Sequence, residues 1–106
     1  MAYEYTVKLK DYVGTEAIDS MRKAVILYHA TCFYDGCGKL LIKDPELANS
    51  WNYDISVESQ DQELHLSIVG WNDNLYRIFK LSMKDIIYKI IDDDDEEVSL
   101  EEVFRK

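Results

Sequence analysis

Cysteine, proline and glycine are scarce in this chain of 106 residues, which contains two, one and four of them. A small secreted domain that depends on disulfides usually carries about four to eight cysteines, so Cys32 and Cys37 are expected to be reduced thiols. With so little proline and glycine, the chain has no low-complexity linker. We therefore expect residues 1–106 to form a single compact domain around one hydrophobic core.

Positive charge is also in short supply, because twelve lysines and arginines face twenty-one acids, giving a net charge of −9. Nucleic-acid binding requires basic groups that displace counterions from phosphates, and anionic membranes repel acidic proteins. No apolar stretch approaches the ~20 residues of a membrane-spanning helix, and the first residues do not resemble a signal peptide. We predict a cytoplasmic protein that binds neither nucleic acid nor membranes and whose partners are basic or neutral.

The sequence contains no recognised catalytic or cofactor motif, neither a nucleophile elbow nor a phosphate-binding glycine loop. Cys32 and Cys37 lie too far apart for the usual zinc spacing and have no second ligand pair. A calcium loop that starts at Asp92 would place Glu97 where glycine is needed and Val103 where a bidentate glutamate is needed. We predict a protein that is not an enzyme, with no catalytic residue, metal site or cofactor. A small enzyme or metal-binding module is the alternative.

Periodicity in the first third of the chain predicts a strand and then a helix. Residues 3–10 alternate between apolar and polar side chains, as in a half-buried strand. Apolar residues then recur at helical spacing over residues 16–34, with Thr15 placed as the N-cap. Gly36 or Gly38 is expected to end this helix.

The middle of the chain reads mainly as strands. Residues 39–42 form a candidate short strand, and residues 53–59 and 63–69 alternate as a hairpin. Residues 75–81 are interpreted as a third strand and residues 83–91 as a second amphipathic helix. The class is therefore α+β, with an antiparallel sheet of about four strands and helices packed on one face. The expected core includes Val7, Ile18, Val25, Ile55, Leu66 and Ile87.

The acidic segment, residues 92–102, is the most unusual feature, because it holds eight of the twenty-one acids. From Asp92 to Lys106 the net charge is −6, against −3 for all the preceding residues. Carboxylates this close repel one another, and their natural complement is a basic surface. Ser99 and Glu102 match a capping box, which predicts a helical turn that anchors the far end of the run. A solvated tail that only aids solubility is the alternative.

Aromatic residues add a second signal. The chain has eight tyrosines and two tryptophans, and Trp71 falls in a polar turn. Tyrosine and tryptophan are frequent hot spots of protein interfaces, although closing the sheet edges or the core is their commoner role. The candidate partner-binding residues are Asp92, Asp93, Asp94, Asp95, Glu96, Glu97, Glu101, Glu102 and Trp71.

Small size, strong acidity and the missing active-site motifs together resemble the bacterial immunity proteins, antitoxins of the contact-dependent growth inhibition and colicin-like systems. The resemblance is one of size and charge, without a signature motif. It implies a protein-protein interaction with a cognate toxin nuclease domain, basic because it binds nucleic acid, whose active cleft the acidic protein occludes. The alternative is a nucleic-acid-mimicking inhibitor of DNA- or RNA-binding proteins, which would bind several unrelated basic partners.

Overall fold

Ten helices and strands make up the part of the chain that the computed structural model describes, residues 2–47 and 52–104. In chain order they are β1 (Tyr3–Lys10), α1 (Gly14–Leu27), β2 (Thr31–Tyr34), β3 (Leu40–Lys43), β4 (Ile55–Gln60), β5 (Glu63–Ile68), α2 (Asp73–Ser82), β6 (Ile87–Asp92), β7 (Glu97–Val98) and α3 (Leu100–Phe104). The α+β class is confirmed. The expectation of about four strands was too low, since seven are present.

All seven strands belong to one sheet with the order β2-β3-β4-β5-β1-β6-β7, and every neighbouring pair is antiparallel. The predicted β4–β5 hairpin and the short strand β3 are confirmed. β1 lies between β5 and β6, so that Tyr5 is opposite Leu66 on one side and Asp92 on the other. Among the described strands, β2 and β7 are the free edges of the sheet.

The hydrophobic core lies between one face of this sheet and the three helices. Alternate residues of each inner strand point into it, such as Val7 of β1, Leu66 of β5 and Ile55 of β4, each at most 2% exposed. Helix α1 contributes Ile18 and Val25. The other side of the sheet, called the open face, carries polar residues at the alternate positions, Glu4, Thr6, Lys8, Glu58, His65 and Ser67 among them.

The first helix is shorter than predicted, because the chain turns at Tyr28 and His29 and then forms strand β2. His29 adopts a left-handed backbone, with φ at 61°, which ends the helix. Residues 31–34 then pair with β3, although they continue the helical spacing of apolar residues. Local periodicity therefore could not mark the boundary.

The predicted caps of this helix were also misplaced. The N-cap is Val13, and Thr15 lies within the first turn. Gly36 and Gly38 lie in the loop between β2 and β3, where Gly38 has a positive φ of 86°. Glycine suits this position because it tolerates a left-handed backbone, the property that also favours glycine at helix C-caps.

Residues 75–81, predicted as a strand, belong to helix α2. The side chain of Asn72 accepts a hydrogen bond from the Leu75 amide at 2.8 Å and so caps the helix. Leu75, Ile78 and Phe79 recur at helical spacing and are buried in the core. A strand would have placed Arg77 on the same side as Leu75 and Phe79.

Residues 83–91, predicted as a helix, contain strand β6 instead. Ile90 points into the core and is 2% exposed, whereas Ile87 is 68% exposed on the other side of the strand. The prediction that Ile87 belongs to the core was therefore wrong, and the other five core residues named from the sequence are confirmed as buried. Within the described residues no helix is both long and apolar enough to cross a membrane.

Candidate binding surface

The acidic run forms a turn of defined conformation between β6 and β7. This acidic hairpin, residues 92–97, is closed by the Asp92 amide, which donates to the Glu96 carbonyl at 2.9 Å. The Asp92 Oδ1 atom accepts hydrogen bonds from the amides of Asp94 and Glu96, at 3.0 and 2.9 Å. Asp95 adopts a left-handed backbone, with φ at 61°, which aspartate tolerates better than most residues. The run is therefore an ordered turn and not a free tail.

Both ends of the acidic hairpin are anchored. On one side β6 pairs with β1 along its whole length. On the other side Ile90 is opposite Val98, and α3 begins two residues later. Phe104 of α3 is buried against Phe79 of α2, with their ring centroids 5.1 Å apart.

The predicted capping box at the start of α3 is confirmed. The Glu102 amide donates to the Ser99 hydroxyl oxygen at 3.1 Å, and the Ser99 amide donates to the Glu102 carboxylate at 3.3 Å. These reciprocal bonds satisfy two amides that a helix N-terminus otherwise leaves without a partner. Glu101 and Glu102 both remain exposed, so α3 adds two more carboxylates directly after the hairpin.

The carboxylates of the hairpin are exposed and little neutralised. Asp93, Asp94, Asp95 and Glu96 all face solvent. Within residues 2–47 and 52–104 none of these four forms an ion pair, and the hairpin's one salt bridge joins Glu97 to Lys89 at 4.0 Å. The turn therefore presents negative charge that a basic partner can neutralise.

Three of these acids could be considered for a metal ion. The carboxylate groups of Asp92, Asp93 and Asp94 offer oxygens within 4.8 Å of one another. One Asp92 oxygen already accepts two backbone hydrogen bonds, however, and the loop lacks the glycine and the bidentate glutamate of a calcium-binding hand. Exposed acidic groups of this kind are common without an ion. We assign no metal to them.

Trp71 lies at the same end of the sheet as the acidic hairpin, called here the acidic end, where β1 begins and β6 finishes. It is half-buried and meets the edge of the Tyr3 ring, with centroids 5.5 Å apart. Tyr3 lies two residues before Tyr5, which pairs with Asp92 across β1 and β6. Tyr3 itself is 45% exposed, so the aromatic surface beside the acids includes a tyrosine that sequence reasoning did not single out.

Sequence reasoning also missed a buried polar cluster at this end of the sheet. Asp44 and Asp54 are 1% and 0% exposed. Asp54 accepts hydrogen bonds from Lys43 Nζ at 3.2 Å and from the Asp44 amide at 2.8 Å. Asp44 in turn accepts from the side-chain amides of Asn72 and Asn74, at 2.9 and 3.0 Å. Nothing in the local sequence signals it, because its members are up to thirty positions apart in the chain.

The buried cluster keeps Asp44 charged. Burial raises the pKa of Asp44, but the hydrogen bonds donated by Asn72, the Glu46 amide and Asn74, together with the charge of Lys43, outweigh burial and leave the pKa below its usual value. No buried side-chain nitrogen or oxygen among the described residues lacks a hydrogen-bond partner. The cluster is therefore explained as a structural support that joins β3, β4 and the start of α2.

The described residues contain no arrangement typical of nucleophilic catalysis. His29 is exposed after the end of α1. His65 lies on the open face, where its Nε2 atom is 3.0 Å from the Gln60 side-chain oxygen. The two cysteines form no disulfide. Burial raises the pKa of Cys32 and outweighs the opposing charge of Arg22, so the reactive thiolate forms less readily.

Comparison with known proteins does not assign this chain to a family. No protein-family model matches it, and no curated protein or solved structure is significantly similar to it.

Proposed function

We propose that this protein is an immunity protein, which binds a basic nuclease toxin and blocks the cleft in which that toxin holds nucleic acid. The observation that carries the proposal is the acidic hairpin, where five consecutive exposed carboxylates, Asp93 to Glu97, follow Asp92 on an ordered turn. A nuclease cleft is lined by groups that attract phosphates, and carboxylates on a turn are attracted by the same groups.

Order in the hairpin matters for affinity. A flexible acidic tail loses conformational entropy when it binds, at a cost of about 0.5–1.5 kcal/mol for each side chain that is immobilised, with backbone ordering in addition. Here the backbone is already held by the hydrogen bonds of Asp92 and by the anchored strands on either side. The backbone share of that cost is therefore met on folding, before the partner arrives.

The aromatic residues at the acidic end supply the apolar part of the proposed interface. Tyr3 and Trp71 pack edge to face, so neither ring has to be ordered from a free rotamer on binding. Long-range charge attraction mainly speeds encounter, whereas buried aromatic contacts slow dissociation. Acids and aromatics on one end of the sheet thus provide both parts of a tight interface.

The test compares three baits in the native cell. The hairpin variant carries Asp93→Asn, Asp94→Asn, Asp95→Asn and Glu96→Gln, and it keeps Asp92 because that side chain holds the turn. The matched control neutralises four exposed acids at the opposite end of the sheet: Asp11→Asn, Glu16→Gln, Asp61→Asn and Asp85→Asn. Both variants raise the net charge by four, so a difference between them reports position and not total charge.

We expect mass spectrometry to find one dominant basic nuclease with the wild type and the control, and much less of it with the hairpin variant. The purified nuclease should be inhibited by the wild type, and the hairpin variant should associate with it more slowly, most clearly at low salt. Capture of several unrelated basic proteins would favour nucleic-acid mimicry instead. Equal association rates and salt slopes for all three baits would contradict the proposal.

A further inference from the structure

Strand β2 is a free edge of the sheet that lacks the usual protection. Its four residues, Thr31–Tyr34, carry no charge and no proline, and Phe33 and Tyr34 are 44% and 49% exposed. The other edge, β7, has only two residues and continues directly from the acidic hairpin. Natural edge strands are commonly kept from pairing by charges, proline or short length. By this standard β7 is protected and β2 is open.

The backbone of β2 has hydrogen-bonding groups directed outwards at two residues. The Asp35 amide donates to the Lys39 carbonyl at 2.9 Å. Hydrogen-bonded and non-hydrogen-bonded pairs alternate along an antiparallel ladder. Phe33 precedes Asp35 by two positions, so Phe33 and its partner Leu41 also form a hydrogen-bonded pair. The amides and carbonyls of Cys32 and Tyr34 therefore point away from β3, and no described strand lies on that side.

An apolar groove runs beside this edge, between β2 and the second half of α1. It has a volume of 440 Å³, and its mainly apolar lining includes Val25, Ile26, Cys32 and Tyr34, with the charged Arg22 beside them. Ile26 is 73% exposed although it belongs to the longest helix described. Edge and groove together form a mainly apolar surface that no residue of the described ranges 2–47 and 52–104 covers, and surfaces of this kind mark interaction sites.

We propose that β2 pairs with β2 of a second copy of this chain, antiparallel and around a two-fold axis at Phe33. In this register Cys32 of each copy is opposite Tyr34 of the other. Their four outward amides donate to the four outward carbonyls, and Phe33 meets Phe33 across the axis. Moving one copy by a single residue would turn its helices to the opposite side of the joint sheet. The buried face therefore excludes a shift by one residue, and among the remaining registers the one centred on Phe33 pairs the outward amides and carbonyls of both Cys32 and Tyr34.

Side chains also fit this arrangement. Cys32 and Tyr34 lie on the core side of the strand, since they are opposite Ile42 and Leu40. Tyr34 of the second copy is thereby placed beside Cys32, on the side of the sheet where the groove opens. The cross-strand contact between two Phe33 rings on the open face is a favourable pair for a sheet.

Arg22 lines the groove and lies 5.6 Å from the centre of the Tyr34 ring, so this edge carries a positive charge that disfavours a basic partner. The strong negative charge of a second copy is concentrated far from this edge. Six strand spacings separate β2 from β7, or about 29 Å, which is several times the Debye length of about 8 Å in physiological salt. The acidic hairpins of a dimer joined through β2 would lie at its two far ends and would repel each other little. This inference does not depend on the proposed function, because it uses the opposite edge of the sheet.

Sedimentation equilibrium of the wild-type protein tests the pairing. An interface between two strands of four residues each is small and is expected to be weak, with half of the chains dimeric at a concentration on the order of 100 µM. The variants Phe33→Lys and Phe33→Glu place like charges opposite each other on the axis, so each alone should be monomeric. An equimolar mixture should recover dimers, since lysine then faces glutamate only in the mixed pair.

Rescue in the mixture would identify the register, because a fold defect in either variant cannot be corrected by the other. The control Glu97→Lys, at the opposite edge, should dimerise as the wild type does. A wild-type protein that stays monomeric at ten times the expected concentration would overturn the proposal. So would dimers that survive both Phe33 variants, or variants that stay monomeric when mixed. A monomer that loses its nuclease partner when Phe33 is changed would assign this edge to that partner instead.

Discussion

Asp44 and Asn72 are joined by a hydrogen bond of 2.9 Å, from the Asn72 side-chain amide to the Asp44 carboxylate, although twenty-eight positions separate them in the chain. The oxygen of the same asparagine caps helix α2 by accepting the Leu75 amide at 2.8 Å. One side chain thus connects the turn after β3 to the start of a helix. This contact orients α2 at the acidic end of the sheet, where the proposed binding surface lies.

Two substitutions of Asn72 test its contacts with Asp44 and with the Leu75 amide separately. Asn72→Ala removes both the cap and a donor to a buried carboxylate, and it should lower the free energy of unfolding by about 2–4 kcal/mol. Asn72→Asp keeps a good cap but brings a second carboxylate against Asp44. Its loss of unfolding free energy relative to the wild type should therefore diminish as acid protonates the two carboxylates. Urea unfolding at neutral and acidic pH measures both variants. An Asn72→Asp variant that is as stable as the wild type at every pH would show that the contact with Asp44 contributes nothing.

Asp44 should make the stability depend on pH in the acid range. Its pKa in the folded protein lies below the usual 3.8, so the unfolded chain binds the proton more tightly. The stabilisation is therefore complete above about pH 5 and is lost as the pH falls through the lowered pKa. Asp44→Asn should be less stable than the wild type at neutral pH, and the difference should shrink on acidification. A difference that stays constant from neutral to acidic pH would contradict this assignment.

Gly14 is required at the start of α1 because other chain segments approach it closely. A Cβ atom placed there would lie 2.8 Å from Ser59 Cβ and 3.0 Å from the Glu63 carbonyl oxygen. The Gly14 amide also donates to the Asp61 carbonyl at 2.8 Å, which prevents the helix from moving away. Gly14→Ala should lower the free energy of unfolding by about 1–3 kcal/mol. Gly36→Ala is the control, since a Cβ there meets nothing within 4 Å, and it should melt as the wild type does.

Truncation of Leu66 and of Ile87 distinguishes the observed strand β6 from the helix that the sequence predicted. Leu66→Ala should cost about 2–4 kcal/mol, because the side chain is 1% exposed in the core. Ile87→Ala should cost less than about 0.5 kcal/mol, because Ile87 is 68% exposed. Thermal or urea unfolding measures both. A large loss for Ile87→Ala would place this residue in the core and contradict the strand.

Several features could be predicted from the sequence because neighbouring residues determine them. The alternation over residues 3–10 and the paired alternation of the β4–β5 hairpin each match one period only, and both are confirmed as strands. The capping box at Ser99 depends on two side chains three positions apart, and it forms as expected. Where the signal is local and fits a single period, the sequence alone was sufficient.

The candidate site was predicted only in part. The acids from Asp92 to Glu97 could be found by counting charges, but the defined conformation of this segment depends on the pairing of β6 with β1. Trp71 was expected in an exposed turn and is half-buried against Tyr3. The contact of Tyr3 with Trp71 and the cluster around Asp44 join distant segments, so no local pattern announces them.

Composition and local periodicity determined the α+β class, the outlines of β1, β4 and β5, and the concentration of negative charge near residue 92. Tertiary structure decided the segments whose apolar spacing fits two periods, residues 31–34, 75–81 and 83–91. Residues 87–92 form β6, and not the end of a helix, because β1 has a free side that only another strand can pair with. Residues 75–81 form α2 because helical spacing buries Leu75, Ile78 and Phe79 together. A short apolar segment takes the conformation that satisfies its backbone hydrogen bonds and buries its side chains, and both depend on distant residues.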